Sequence, residues 1–145
     1  MDTWNEQLVV GETSQGLLIK LLTELGFSVQ LYLDGKAKEA DLVINMTIEL
    51  KRDVLSATTG NYAIEYLFKG KPSGISTTTS TIFAIQTDTH FHLYHTSKLK
   101  AFLKANWKQL KHTKGGDDGE TELILVPKLQ MLDPWLVIPI AETPT

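Results

Sequence analysis

Asp41, Glu49 and Lys51, within the segment DLVINMTIELK, are the side chains of this sequence best suited by type and spacing to chemistry. Side chains alternate along a strand, so Glu49 and Lys51 point to one face while Ile48 and Leu50 point to the other. Two short apolar runs, Leu42-Val43-Ile44 and Ile48 with Leu50, flank a polar Asn45-Met46-Thr47 connection, the pattern of a tight β-hairpin or a bent pair of strands. A hairpin would bring the Asp41 carboxylate beside that of Glu49. Neighbouring carboxylates repel one another unless compensated, and a divalent cation is the simplest compensation. Hard ions such as Mg²⁺ take oxygen ligands, one or two carboxylates with waters and a substrate phosphate oxygen. Lys51 could not ligate the ion. It could orient or help deprotonate an attacking water, or offset charge on a phosphorane-like transition state. Taken alone, E-x-K also describes an ordinary exposed Glu-Lys pair on an amphipathic strand.

The elements that must position these groups are written around them. Gly11 to Leu25 predicts a helix, with Leu18, Leu21, Leu22 and Leu25 at helical spacing and Gly26 as its stop. Glu12 falls near its start, where an acid also suits the helix dipole as a plain surface residue. Phe27 to Leu33 alternates as a half-buried strand before an Asp34-Gly35 turn, and Asn61 to Phe68 is a later strand that carries Glu65. Lys69 to Ser80, KGKPSGISTTTS, is a polar loop whose amides and hydroxyls suit phosphate oxygens, or a flexible connection, or the start of a short helix. Thr81–Gln86 and Phe91–Tyr94 form a hairpin around Asp88, and Ser97 to Leu110 is a second helix with Leu99, Phe102, Leu103, Trp107 and Leu110 on its apolar stripe. A loop over Lys114 to Glu120, a strand over Leu123 to Val126 and an irregular tail punctuated by Pro134, Pro139 and Pro144 complete the chain.

Charge is segregated along this order. The chain has 145 residues and a net charge of −3, yet no acid lies between Asp88 and Asp117 while Lys98, Lys100, Lys104, Lys108, Lys111 and Lys114 do. Such a row is ordinarily a solvated face, and in an acidic chain it is also one positive surface able to steer a polyanion. His90 and His92 would share a strand face with His95 on the other, so these histidines read as substrate-side or surface residues rather than a zinc set. The KGGDDGE loop lacks the spacing of a calcium loop. With no cysteine there is no thiolate nucleophile or disulfide framework, and no run of apolar residues suggests a signal peptide or membrane span. Length and composition predict one soluble intracellular domain.

In the order of these parts the chain resembles the PD-(D/E)XK nuclease superfamily. That superfamily has an α/β, restriction-endonuclease-like core with a mixed central sheet flanked by helices. Glu12 in the first helix, Asp41 opening a core strand and Glu49-Leu50-Lys51 on the next match its motif positions, although Ala40 stands where the motif's name has proline. Gly11 through Lys51 looks most like archaeal and phage Holliday-junction resolvases, and KGKPSGIS looks like a stretch in small phage-encoded nucleases. The resemblance covers about Gly11 to Trp107. It implies a deoxyribonuclease, Mg²⁺ or Mn²⁺ held by Asp41, Glu49 and the Leu50 carbonyl, and Glu12 reaching the ion directly or through water. It further implies that Lys51 positions the nucleophilic water. DNA would be contacted by Lys69, Lys71 and Ser73 near the cleavage site and by Lys100, Lys104 and Lys108 farther off. A homodimer, the cytoplasm (the host's, if phage-encoded), no membrane and no organic cofactor complete the expectation. Two rivals stand beside it: a nuclease-fold protein that binds nucleic acid or assembles without cutting, and an α/β module whose lysine face binds an acidic protein.

Overall fold

A computed structural model describes residues 14–31, 42–116 and 119–140. The chain divides into two compact units, Met1–Thr47 and Ile48–Thr145. In the first, helix α1 spans Ser14–Glu24, and strands β1, Ser28–Leu31, and β2, Leu42–Asn45, pair antiparallel. The helix stops where the sequence predicts. Gly26 adopts φ 92° and its amide donates to the Thr23 carbonyl, while that of Phe27 donates to Leu22. These are the bonds that close a helix through a left-handed residue. Of the predicted stripe, Leu18 and Leu21 are exposed and Leu22 and Leu25 only partly buried, and Gly16 is the buried residue of α1.

The second unit is an α/β assembly with one mixed and one antiparallel sheet. Its strands are β3, Ile48–Arg52; β4, Asn61–Phe68; β5, Lys71–Pro72; β6, Ile82–Gln86; β7, His90–His95; β8, Lys111–Gly115; β9, Thr121–Pro127; and β10, Leu136–Pro139. Helices α2, Ser56–Thr59, and α3, Thr96–Ala105, interrupt them. One four-stranded sheet has the order β10-β7-β6-β3, with β3 parallel to β6 and the other pairs antiparallel; the second has the order β5-β4-β9-β8. β6 reads IFAIQ and is buried on both faces, as a continuous apolar run in a central strand should be. Phe83, Ile85 and Tyr94 from the first sheet, Tyr62, Ile64, Ile124 and Val126 from the second, and Leu99 and Leu103 from α3 make one core cluster.

Several expectations are corrected here. β2 and β3 do not form a hairpin: β2 pairs with β1, and β3 pairs with β6. Strand pairing over such distances in sequence leaves no mark on local periodicity. The second helix ends at Ala105 rather than Leu110, because the Asn106 side chain and main-chain amide both donate to the Phe102 carbonyl, at 2.8 and 3.1 Å. Asn competes for helix carbonyls in this way and favours a stop. Residues of the expected Lys114 loop belong to β8, and the expected tail contributes β10. The Lys69–Ser80 segment is bound to β4 rather than flexible: Ser73 N and Ser76 Oγ both donate to the Tyr66 carbonyl, at 3.0 and 2.9 Å.

The hairpin around Asp88 forms as expected. Thr87 Oγ1 accepts the His90 amide at 3.1 Å, a local hydroxyl turn that fixes the β6–β7 register. His90 and His92 do share a face, with ring centroids 5.9 Å apart, but His95 is buried against Trp135 instead of lying at the surface. Burial pushes the imidazoles of His92 and His95 below the ordinary value of 6.5, helped by His90 and Lys128 for the former and Lys98 for the latter. The unfolded chain therefore binds more protons than the folded one as pH falls through and below that value. Stability is complete above pH ~6.5 and declines as the medium is acidified toward the lower folded pKa values. Urea midpoints measured from pH 8 down to pH 5 should follow this course, and His92→Gln should flatten it.

Candidate functional site

β3 is the last strand of the mixed sheet, and it carries its polar pair inward and its apolar pair outward. Glu49 lies beside Phe83 and Lys51 beside Ile85 in the parallel register, so both share the face of the buried β6 aromatic and aliphatic side chains. Ile48 and Leu50 are 52% and 55% exposed on the opposite face. The usual amphipathic reading is thus inverted at this strand. Lys51 Nζ lies 3.1 Å from Glu49 Oε1, and the two side chains remain 42% and 39% exposed. A pair this open contributes little to stability, about 0–1 kcal/mol, and both groups stay accessible to a solute.

Next to the pair is a small cavity of about 110 Å³ lined by Lys51, Arg52, Asp53, Ala63, Ile64, Glu65, Phe83 and Ile85. Asp53 and Glu65 bring two more carboxylates to this wall, and neither was singled out by motif. Asp53 is committed to the backbone. Its Oδ1 accepts the Ser56 amide at 3.2 Å and its Oδ2 accepts the Ala63 amide at 2.9 Å, which ties the start of α2 to β4. An acid three residues ahead of a helical amide is the readable signal for this role. Asp53→Ala removes both acceptors and should cost about 1–2 kcal/mol, with Asp53→Asn about half of that, as read from urea midpoints. Glu65 Oε1 accepts the Ser73 hydroxyl at 3.2 Å, so Ser73, assigned to phosphate by its loop, is placed beside this wall and engaged there.

Two of the expected catalytic acids, Glu12 and Asp41, lie outside the described residues. Among the described residues no group of three or more His, Asp or Glu side chains converges in a way that could hold a metal ion. What β3 offers to a hard cation is of the right chemical kind: the Glu49 carboxylate and the adjoining Leu50 carbonyl are oxygen donors. Those donors fit such an ion as part of a set.

The lysines assigned to nucleic acid divide into two groups. Lys69 Nζ is 3.6 Å from Glu120 Oε2 and lies over the Phe68 ring, and with Lys114, Glu120 and Glu122 it lines a mixed-charge cavity. Lys71 is exposed on β5. Lys100, Lys104 and Lys108, by contrast, are brought together around a second cavity with Ile75, Ser76, Leu103, Ala105, Trp107 and Gln109. Helical spacing alone places Trp107 only on the apolar stripe.

No family model matches the chain, and neither the curated proteins nor the solved structures include a match to it. The geometry stands by itself. No helix among the described residues is long and apolar enough to cross a membrane.

Proposed function

We propose that this protein is a metal-dependent nuclease that hydrolyses DNA phosphodiester bonds, built on a restriction-endonuclease-like core and acting as a homodimer. The observation that carries the reading is the Glu49–Lys51 pair, half-exposed at 3.1 Å on the inward face of the terminal strand of a mixed sheet. An acid and an amine held on consecutive same-face positions of a rigid strand are well placed to act on one phosphate. Glu49 and the Leu50 carbonyl would hold Mg²⁺ or Mn²⁺ together with Asp41, and Glu12 would reach the ion directly or through water. When bound, the ion supplies charge neutralisation at the phosphate and a more acidic water.

The chain's own groups do the rest. Lys51 places its ammonium beside Glu49, where it hydrogen-bonds the attacking water and opposes the negative charge that grows on the phosphate oxygens. Glu49, charge-paired with Lys51, keeps the ammonium close to the carboxylate on the same strand face. Lys100, Lys104 and Lys108 supply a cationic face for the polyanion away from the reacting bond. The choice of DNA over RNA rests on the resemblance of the motif order to resolvases and small phage nucleases, and an endonuclease is the subclass proposed with it.

The test is cleavage of linear duplex, single-stranded, flapped and four-way-junction DNA by the purified protein with Mg²⁺, with Mn²⁺ and with EDTA. Cutting that needs the metal is expected, and the ranking of substrates names the subclass. Absence of cutting on every substrate with either metal would remove the enzyme and leave a binding protein of the same fold.

A further inference from the structure

The larger cavity, about 550 Å³, has a composition that selects for a particular ligand chemistry. Ile75 and Leu103 belong to the buried core and form an apolar lining, and Trp107 adds an indole that is partly exposed. Its volume lies within the usual range for small-molecule pockets, roughly 300–1,000 Å³. Three lysines line the same space, and among the described residues no carboxylate does. Lys100 and Lys104 lie one helical turn apart on α3, about 6 Å along its axis. The Lys100 ammonium donates to the Thr78 carbonyl at 2.8 Å and is anchored there with further protons to give. Lys104 and Lys108 make no ion pair among the described residues.

The indole is held in place from behind. It meets Tyr66 and His112 at interplanar angles of 78° and 73°, with centroids 4.8 and 4.5 Å away. His112 in turn bridges the Tyr66 hydroxyl, 3.0 Å from its Nδ1, and the Trp107 carbonyl, 2.9 Å from its Nε2. Because a carbonyl can only accept, Nε2 carries the proton, and the ring locks the Trp107 turn against β4. A braced aromatic, an apolar floor and a row of cations, two of them without an ion pair among the described residues, together fit a flat apolar ring joined to a chain of negative charges. A compact anion would leave the indole unused, and an acidic peptide would leave it without a flat partner.

We propose that this cavity is a single-stranded nucleic-acid subsite that takes one unpaired base against Trp107 while Lys104 and Lys108 hold the flanking phosphates. The inference rests on the nuclease reading for its choice of polymer and deepens it: the preferred substrate carries an unpaired base, as a flap, an end or a junction does. Stacking of a base on an aromatic side chain contributes about 1–3 kcal/mol and tolerates any base.

The experiment is fluorescence anisotropy of a labelled dT oligomer in EDTA, beside an oligomer of the same length and charge that lacks bases, a blunt duplex and a polyglutamate peptide. The wild type should bind the dT oligomer about 5- to 150-fold more tightly than the abasic one, the fold-change that one stacked base confers. Trp107→Ala should abolish that preference and Trp107→Phe should keep most of it. Lys104→Gln with Lys108→Gln, which leaves the aromatic brace intact, should lower the salt slope by about 1.4, since each phosphate contact on a single strand contributes ~0.7. Equal binding of dT and abasic oligomers, equal binding of polyglutamate, or no binding overturns the subsite. The abasic comparison uses only the wild type, so a folding defect in Trp107→Ala cannot obscure the answer. Base-dependent binding without any cutting therefore removes the nuclease and keeps the subsite, whereas cutting with base-independent binding does the reverse.

Discussion

Lys51→Ala should lower the rate of DNA cleavage by about 10²- to 10³-fold, the usual cost of deleting one preorganised donor to a developing anion, while leaving the protein as stable as before to within about 1 kcal/mol. Both halves of this expectation come from the same geometry. The ammonium sits on a terminal strand, 3.1 Å from a carboxylate, with both side chains well exposed. An ion pair in that setting is screened by water and contributes little to folding. Against a bound phosphate the same charge acts at short range with less intervening water, where electrostatic terms are larger. Single-turnover cleavage and a urea midpoint on the same sample check the two halves together. A stability loss of several kcal/mol would instead make the pair structural, and an unchanged rate would make it incidental. Lys51→Arg keeps the charge but changes its shape and donor geometry, so partial activity is expected.

Gly74→Ala should be the most damaging conservative change in the KPSGIS segment, at about 2–4 kcal/mol, combining overpacking with the cost of a left-handed backbone. Gly74 adopts φ 53°, and a Cβ there would press on the Glu65 carbonyl oxygen and lie 3.0 Å from the carbonyl carbon. The obstacle is backbone, held in β4 where its register with β9 shifts between Glu65 and Leu67, so it cannot rotate away. Relief would lift the turn, pulling Ile75 from the core and separating Ser73 from Glu65. Thermal unfolding should show a fall in Tm of roughly 10 °C in a chain of this size. Gly70→Ala is the control: it shares a positive φ of 75° but has nothing within 4 Å of its Cβ, and it should cost only about 1–2 kcal/mol.

These two residues show what the sequence discloses and what it withholds. That Glu49 and Lys51 share a face follows from strand periodicity alone, and the structure agrees. Which face that would be was not legible, because it depends on β6 lying parallel beside β3, a pairing between segments more than thirty residues apart in the chain. Local hairpins are easier. The two runs on either side of Asp88 lead directly to β6–β7, where the Thr87 turn and the register are contiguous. The KPSGIS segment looks like a loop by composition, and it is ordered by tertiary bonds to Tyr66 that composition cannot express. The apolar stripe through Trp107 implied a longer helix, whereas Asn106 captures the Phe102 carbonyl and turns the indole to a cavity wall. Leu17, Leu18 and Leu21 carry helical spacing yet are exposed, so spacing located α1 without locating what covers it. Of the four acid and base positions that carry the resemblance, the structure describes Glu49 and Lys51 and brings them together; Glu12 and Asp41 lie outside the described residues.

The most direct test of the account is a time course of DNA cleavage by the wild type and by Glu49→Gln, purified side by side, each with Mg²⁺ and with EDTA. Glu49→Gln keeps the shape of the side chain and removes its charge. The account predicts cutting by the wild type with Mg²⁺, none with EDTA, and a loss of at least about 10²-fold in the variant, the scale expected when a group that acts on the transition state is removed. Equal cutting by both proteins, or cutting that EDTA leaves unchanged, would contradict it.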